Sequence, residues 1–189
     1  MKIISGTLKG RTIKGYDIEG TRPTMDRVKE SLFGTIQNNV RESIVLDLFA
    51  GSGNLGFEAI SNGAKFCYFN DHNRKCTSLI DKNIELFLIK EQTKVLNLDY
   101  KKALKYFSDN KIKFNLIFLD PPYKNDCLND VVNYIYDNNL LEKEGIIVCE
   151  TSALYLNISC YEKIKEKKYG DKYITIYKNN LWLIYFIIV

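Results

Sequence analysis

The chain has 189 residues, 46% of them hydrophobic and 26% charged. That is the balance of one folded domain with a full core, and it excludes a disordered chain or two domains of ordinary size. The net charge of +4 is concentrated at one end: residues 1–41 carry eight Lys or Arg against four acids, and the remainder balances. Such an excess suits either a solvated basic face or an arm for a polyanion.

The five cysteines (Cys67, Cys76, Cys127, Cys149, Cys160) include no CxxC pair, and His72 is the one histidine. This argues against a zinc site or a disulfide framework and for a reducing compartment, the cytoplasm. The opening residues lack the charged-then-apolar pattern of a signal peptide.

The stretch Lys2–Tyr16 has short β-prone runs broken by Gly6, Gly10 and Gly15, and reads as a basic hairpin or looped arm. Residues 1–20 are taken as this arm, residues 21–180 as the main domain and residues 181–189 as a separate tail. After Pro23, Thr24 can cap a helix with Asp26 in its first turn; Val28, Leu32, Ile36 and Val40 give that helix one apolar face. From Ile44 the rhythm is strand, turn, helix. Strands are expected at 44–49, 66–70, 94–98, 114–119 and 145–149, with helices near 54–62, 74–89, 100–109 and 127–138. Units of this kind make a parallel sheet covered on both faces. Segments 161–168 and 172–178 around Gly170-Asp171 then predict a closing antiparallel hairpin. The tail 181–189 is wholly apolar, but nine residues cannot span a bilayer, which takes about 20. A terminal strand, an oligomer contact and an incidental extension all fit it.

Gly51, Gly53 and Gly56 form a GxGxxG turn between the first strand and its helix, and Asp71 follows Gly51 by 20 residues. Dinucleotide-binding proteins share that pattern. Asp47, at the end of the strand, separates the readings. A carboxylate there repels a pyrophosphate, yet attracts the ammonium and sulfonium of S-adenosyl-L-methionine. Asp71 suits a ribose diol, and Asp99 could accept from an adenine amine. For either acid a helix cap or a turn is the competing structural role.

Strand 114–119 runs into Asp120-Pro121-Pro122-Tyr123. The prolines stiffen the segment, holding the Asp120 carboxylate and the Pro121 carbonyl in a set relation. Two such acceptors suit an amino group on a planar base, and Tyr123 offers a stacking face.

With these two motifs, the chain resembles the RsmD-type small-subunit ribosomal RNA guanine-N2 methyltransferases over roughly residues 2–179. The likeness is carried by Ile4–Arg11, Thr21–Phe33 (with Arg22-Pro-Thr24-Met-Asp-Arg27-Val), Asp47–Gly53, Asp120–Tyr123 and Tyr169–Tyr177. It implies a Rossmann-like, seven-stranded S-adenosylmethionine-dependent methyltransferase fold, a parallel sheet with a terminal antiparallel hairpin. It implies the cofactor on the 47–53 loop, a target guanine at 120–123, and Arg22, Thr24, Arg27 and Glu30 near the mouth. The expected cofactor set is Asp47, Phe49, Gly51, Gly53, Asp71 and Asp99, and the catalytic set is Asp120, Pro121, Pro122 and Tyr123. RNA is expected at Lys9, Arg11, Lys14, Arg22, Thr24 and Arg27. Expected partners are 16S ribosomal RNA or a 30S assembly intermediate, with no metal and no membrane, for a monomer. Asp71 stands where the family often has Glu. Glu150, after the fifth strand, also fits the family pattern, with a structural carboxylate as its reading. The alternatives are a DNA adenine-N6 methyltransferase, an NAD-dependent oxidoreductase and a catalytically silent RNA-binding module.

Overall fold

Apolar runs bounded by turn residues become the seven strands β1 (Ile44–Asp47), β2 (Phe66–Asn70), β3 (Thr93–Leu96), β4 (Phe114–Leu119), β5 (Leu141–Thr151), β6 (Glu162–Tyr169) and β7 (Lys172–Lys178). The computed structural model describes residues 1–15, 23–121, 127–151 and 158–180, the side chains of residues 23–25 excepted. Arg22, Pro122, Tyr123, the tail 181–189 and the Thr24 side chain therefore lie outside the described residues.

The strands form one sheet in the order β3-β2-β1-β4-β5-β7-β6. The first five pair in parallel, and β7 pairs antiparallel with both β5 and β6. The expected closing hairpin is thus present, with β7 inserted between β5 and the edge strand β6. Helices α1 (Pro23–Val40), α2 (Asn54–Ser61), α3 (Arg74–Phe87), α4 (Tyr100–Asp109) and α5 (Leu128–Asp137) fill the intervals.

Successive strand residues face opposite ways, so a sheet buried on both sides feeds two cores. Val45, Leu116 and Phe118 pack with Leu32, Ile36, Phe57 and Ile80 of α1, α2 and α3. Leu46, Ile117 and Leu119 pack with Leu104, Phe107, Val131 and Ile135 of α4 and α5. On α1 the expected stripe is observed: Leu32, Ile36 and Val40 are buried and Val28 packs beside them.

β5 begins four residues earlier than expected, because the charged run Glu142-Lys-Glu144 hides a strand start that pairs Leu141 with Phe114. The opening segment also differs from expectation. It makes one antiparallel bridge, Lys2 with Thr12, but it is fastened to the main domain and is not a separate arm. Ile3, Leu8 and Ile13 lie in the same core as α1, α2 and α3. The Leu8 amide donates to Ser61 Oγ at 2.9 Å, and the Lys14 amide to Asn83 Oδ1 at 2.8 Å. Lys2, Lys9, Arg11 and Lys14 remain exposed on its outer side.

One buried ion pair ties the segment to the helices. Lys29 Nζ lies 3.0 Å from Glu58 Oε1, with side-chain exposures of 5% and 0%. The same ammonium donates to the Lys2 carbonyl and to Asn54 Oδ1, while Glu58 accepts from the Ile4 amide. Removing one partner of such a pair leaves a charge without compensation. Lys29→Met is therefore expected to cost about 3–5 kcal/mol in urea denaturation. Lys29→Met/Glu58→Gln should recover part of the loss, since glutamine removes the charge and still accepts from Ile4. Equal stability of the single variant and the unmodified protein would contradict this role.

Candidate active site

β1, β2 and β4 lie side by side and end at one edge of the sheet. The register sets Asp47 level with Phe69 of β2 and with Phe118 of β4. Asp71 and Asp120 each follow those positions by two residues. Three carboxylates from three adjacent strands thus meet at the carboxyl edge, where sheets of this type bind ligands.

Asp47 is buried, and its Oδ2 accepts from the Gly56 amide in the first turn of α2 at 3.0 Å. Burial, with the charges of Asp120 and Asp71 adding to it, pushes the carboxyl up to about 7 against the pull of that hydrogen bond. A helix N-terminal amide is what a bound phosphate uses. Here Asp47 already holds it, and its own charge calls for a cation.

The loop in front is shaped by glycine. Gly51 has φ +54°, and a Cβ there would meet nothing within 4 Å, so its backbone opens onto free space. Gly56 serves packing: a Cβ would fall 2.2 Å from Phe69 Cε1, so its bare backbone is what lets α2 lie against β2.

Asp71 Oδ2 accepts from the Gly51 amide at 2.9 Å and Oδ1 from the Asn73 amide at 2.8 Å. A carboxylate has about four acceptor positions, so two bonds leave capacity for a diol. Asp71 also lines a pocket with Leu48, Phe49, Asn70, His72, Leu98, Asp99 and Tyr100. The Phe49 and Tyr100 rings stand 5.7 Å apart on its wall. Asp99 caps α4 by accepting from the Lys101 amide at 2.9 Å, so the competing structural role is real, although the residue also lines the pocket. Asn70 donates to the carbonyls of Leu48 and Leu98, both at 3.1 Å. Its Oδ1 is buried with no partner among the described residues. An unmet buried acceptor costs about 1–3 kcal/mol, so this atom marks a place for a donor.

Asp120 is half-buried at the end of β4, and Pro121 is buried beside it. Leu119 of β4 and Cys149 of β5 are in register, so the next residues, Asp120 and Glu150, stand side by side at the carboxyl ends of neighbouring strands. Burial and the Glu150 charge push the Asp120 carboxyl up to about 7, while Lys172 draws it down. Lys172, at the start of β7, forms an ion pair with Glu150. Sequence reasoning assigned Glu150 no functional role and passed over Lys172. One signal was available: Glu150 follows the fifth strand as Asp120 follows the fourth. The antiparallel pairing that delivers Lys172 had none.

The proposed RNA residues are spread out. Arg11 stacks over Phe87 at 5.9 Å and donates to the Leu86 carbonyl, at the far end of α3. The 14 residues of α3 cover about 20 Å, so this cation is set well back from the carboxyl edge. Arg27 and Glu30 are exposed on the N-terminal half of α1. Among the described residues no His, Cys, Asp and Glu group could hold a metal, and no helix is long and apolar enough to cross a membrane.

Comparisons with known proteins agree with this geometry. A family model described as "Conserved hypothetical protein 95" matches residues 1–178. The Bacillus subtilis protein YlbH is 36% identical over 181 residues, covering 94% of this chain and 98% of that protein. "Ribosomal RNA small subunit methyltransferase D" of Haemophilus influenzae is 34% identical over 182 residues, covering 95% of this chain and 94% of its own. The solved structure of the Escherichia coli protein yhhF superposes with a TM-score of 0.82 at 28% identity, over 95% of this chain and 98% of that one. On this evidence the sheet and its helices are the seven-stranded S-adenosylmethionine-dependent methyltransferase fold, and the chain belongs to the RsmD family of ribosomal RNA small-subunit methyltransferases.

Proposed function

We propose that this chain transfers a methyl group from S-adenosylmethionine to the exocyclic N2 amine of a guanine in 16S ribosomal RNA. Its substrate is the free RNA or a 30S assembly intermediate, and it works as a monomer in the cytoplasm. The observation that carries the reading is the convergence of Asp47, Asp71 and Asp120 on one edge, where Asp47 blocks the helix amide a phosphate would take. That favours a cofactor with positive charge and no phosphate over NAD. The RNA target follows from the relatives' names, which gives no support to DNA adenine.

The residues fit S-adenosylmethionine, which supplies an electrophilic methyl on a sulfonium. Asp47 faces the positive charge, Asp71 takes the ribose hydroxyls, and Gly51 leaves room for the amino-acid portion, while Gly53, at φ +78° against Phe57 and Ile80, shapes the loop that holds it. Phe49 and Asp99 border the adenine.

Asp120 and the Pro121 carbonyl accept the two hydrogens of the target amine and draw its nitrogen towards sp³. The freed lone pair would take the methyl group that S-adenosylmethionine, held by Asp47 and Asp71, would supply, with the C–S electrons staying on sulfur. Asp120 or solvent takes the proton that the nitrogen then sheds. Pro122 and Tyr123 lie outside the described residues; Pro122 is assigned the stiffening of this segment and Tyr123 the stacking face, worth about 1–3 kcal/mol per base. Catalysis here is positioning and electrostatic alignment, with no covalent intermediate.

The test is incubation with methyl-labelled S-adenosylmethionine and undermethylated small-subunit RNA, followed by digestion to nucleosides. N2-methylguanosine is expected; N6-methyladenosine, or no label, overturns the proposal. Asp120→Ala should lower the single-turnover rate by about two to four orders of magnitude with little change in cofactor affinity. Loss of cofactor binding as severe as loss of turnover would remove Asp120 from the base site.

The charges around Asp120 also set a pH dependence. Its carboxyl, raised to about 7, ionises as pH rises, so the single-turnover rate should climb through that range. Lys172 favours the ionised form, so Lys172→Met should move the limb to higher pH. Glu150 opposes it, and Glu150→Gln should move the limb lower. A limb unmoved by either change would separate Asp120 from the rate.

A further inference from the structure

Outside the carboxyl edge, the edge strand β6 carries a dense row of exposed charge. Residues 42–189 carry no net charge, yet β6 holds Lys163, Lys165, Lys167 and Lys168 against Glu162 and Glu166. All six are exposed. Glu166 is engaged by Lys163 at 3.5 Å and by Thr175 Oγ1 at 3.2 Å. Lys165, Lys167 and Lys168 take part in no ion pair among the described residues.

Two of these ammonium groups lean on α1. Lys165 Nζ donates to Thr35 Oγ1 at 2.9 Å, and Lys167 Nζ to Ser31 Oγ at 3.3 Å, next to the Tyr169 hydroxyl on the same serine at 2.7 Å. Both partners are neutral hydroxyls, so neither lysine charge is cancelled. Arg27 lies one helical turn before Ser31 and is exposed. Lys168 stands over the Tyr173 ring at 5.4 Å, and Lys167 over the Tyr169 ring at 4.9 Å.

Direction matters as much as charge. β6 is antiparallel to β7, which is antiparallel to β5. The C-terminal end of β6 therefore lies at the same edge as Glu150 and Asp120. The stripe starts at that edge with Arg27 and Lys167 and runs back to Lys165. Alternate strand residues are about 6.6 Å apart, so the two lysines can follow one backbone.

We propose that β6 and the adjoining face of α1 form a docking track for substrate RNA, on which Arg27, Lys165 and Lys167 hold phosphates leading into the carboxyl edge, with Lys168 adding charge from the opposite face of the same edge strand. This rests on the reading of the chain as an RNA methyltransferase and says where the RNA lies. Edge-strand lysines also discourage strand pairing. That role asks only for charge along the edge. It does not ask for ammonium groups supported on a hydroxyl-bearing helix face that leads to the site.

The test compares Lys165→Gln/Lys167→Gln/Lys168→Gln with a control of equal charge, Lys102→Gln/Lys105→Gln/Lys143→Gln. Affinity for undermethylated small-subunit RNA is measured over a range of salt, beside S-adenosylmethionine affinity and KM and kcat for methylation. The β6 variant should bind RNA more weakly and raise KM. Its slope of log affinity against log salt should flatten by about 2, at roughly 0.7 to 0.9 per lost phosphate contact, with kcat and cofactor affinity unchanged. The control should retain the original slope. A β6 variant equal to the control overturns the track while leaving the methyltransferase reading intact. So does normal binding to bare RNA with a defect only on protein-containing particles, which would make the surface one for protein. Unmodified protein that neither binds nor methylates the RNA overturns both.

Discussion

Asp47 is a carboxylate in a place where the fold has removed water and, among the described residues, brought no cation. It ends the interior strand β1, lies buried at 3% exposure, and shares its edge with Asp71 and Asp120. Its one strong support is the Gly56 amide, which binds it to the start of α2 and lets the helix dipole face the charge. This explains why the glycine loop is built as it is. Gly56 must be bare for α2 to rest on β2, and only then does its amide reach Asp47. The same contact uses the position a nucleotide phosphate would need.

The remainder of the site is an answer to that charge. Asp71 holds the Gly51 amide and so fixes the loop from the neighbouring strand. On the other side, Asp120 is balanced between Glu150, which opposes its ionisation, and Lys172, which favours it. Strand register delivers the first neighbour, and the antiparallel return of β7 delivers the second. The closing hairpin therefore does more than finish the sheet, since it carries a cation to an edge otherwise crowded with acids.

Much of this was legible in the amino acids. β1, β2 and β4 are short apolar runs ended by Asp or Asn, and such runs have few other interpretations. The Asp47 and Asp120 motifs can be placed on strand ends from the residues alone. What was hidden was set by long-range packing. Ile3, Leu8 and Ile13 recur every five residues, a spacing that matches neither helix nor strand, so the opening segment gave no sign of its place in the core. Lys29 reads as a surface cation on α1, and only the docking of α2 shows that it is buried against Glu58. The start of β5 is hidden by its charged run Glu142-Lys-Glu144, whereas β6 is expected as the first arm of the closing hairpin and only its place at the outer edge, beyond β7, is not. The cations of β6 disappear into a balance of zero over residues 42–189.

The central claim is that the buried charge of Asp47 selects a cationic cofactor, and calorimetric titration at several pH values tests it most directly. S-Adenosylmethionine should bind and NAD should not, with affinity for S-adenosylmethionine rising as pH passes through about 7 and Asp47 becomes ionised. Asp47→Asn keeps an acceptor for the Gly56 amide and removes only the charge. It should weaken binding about tenfold or more, equivalent to at least about 1.4 kcal/mol, and abolish the pH dependence. Binding of NAD with no response to S-adenosylmethionine, or an Asp47→Asn variant that binds S-adenosylmethionine as the unmodified protein does, would contradict it.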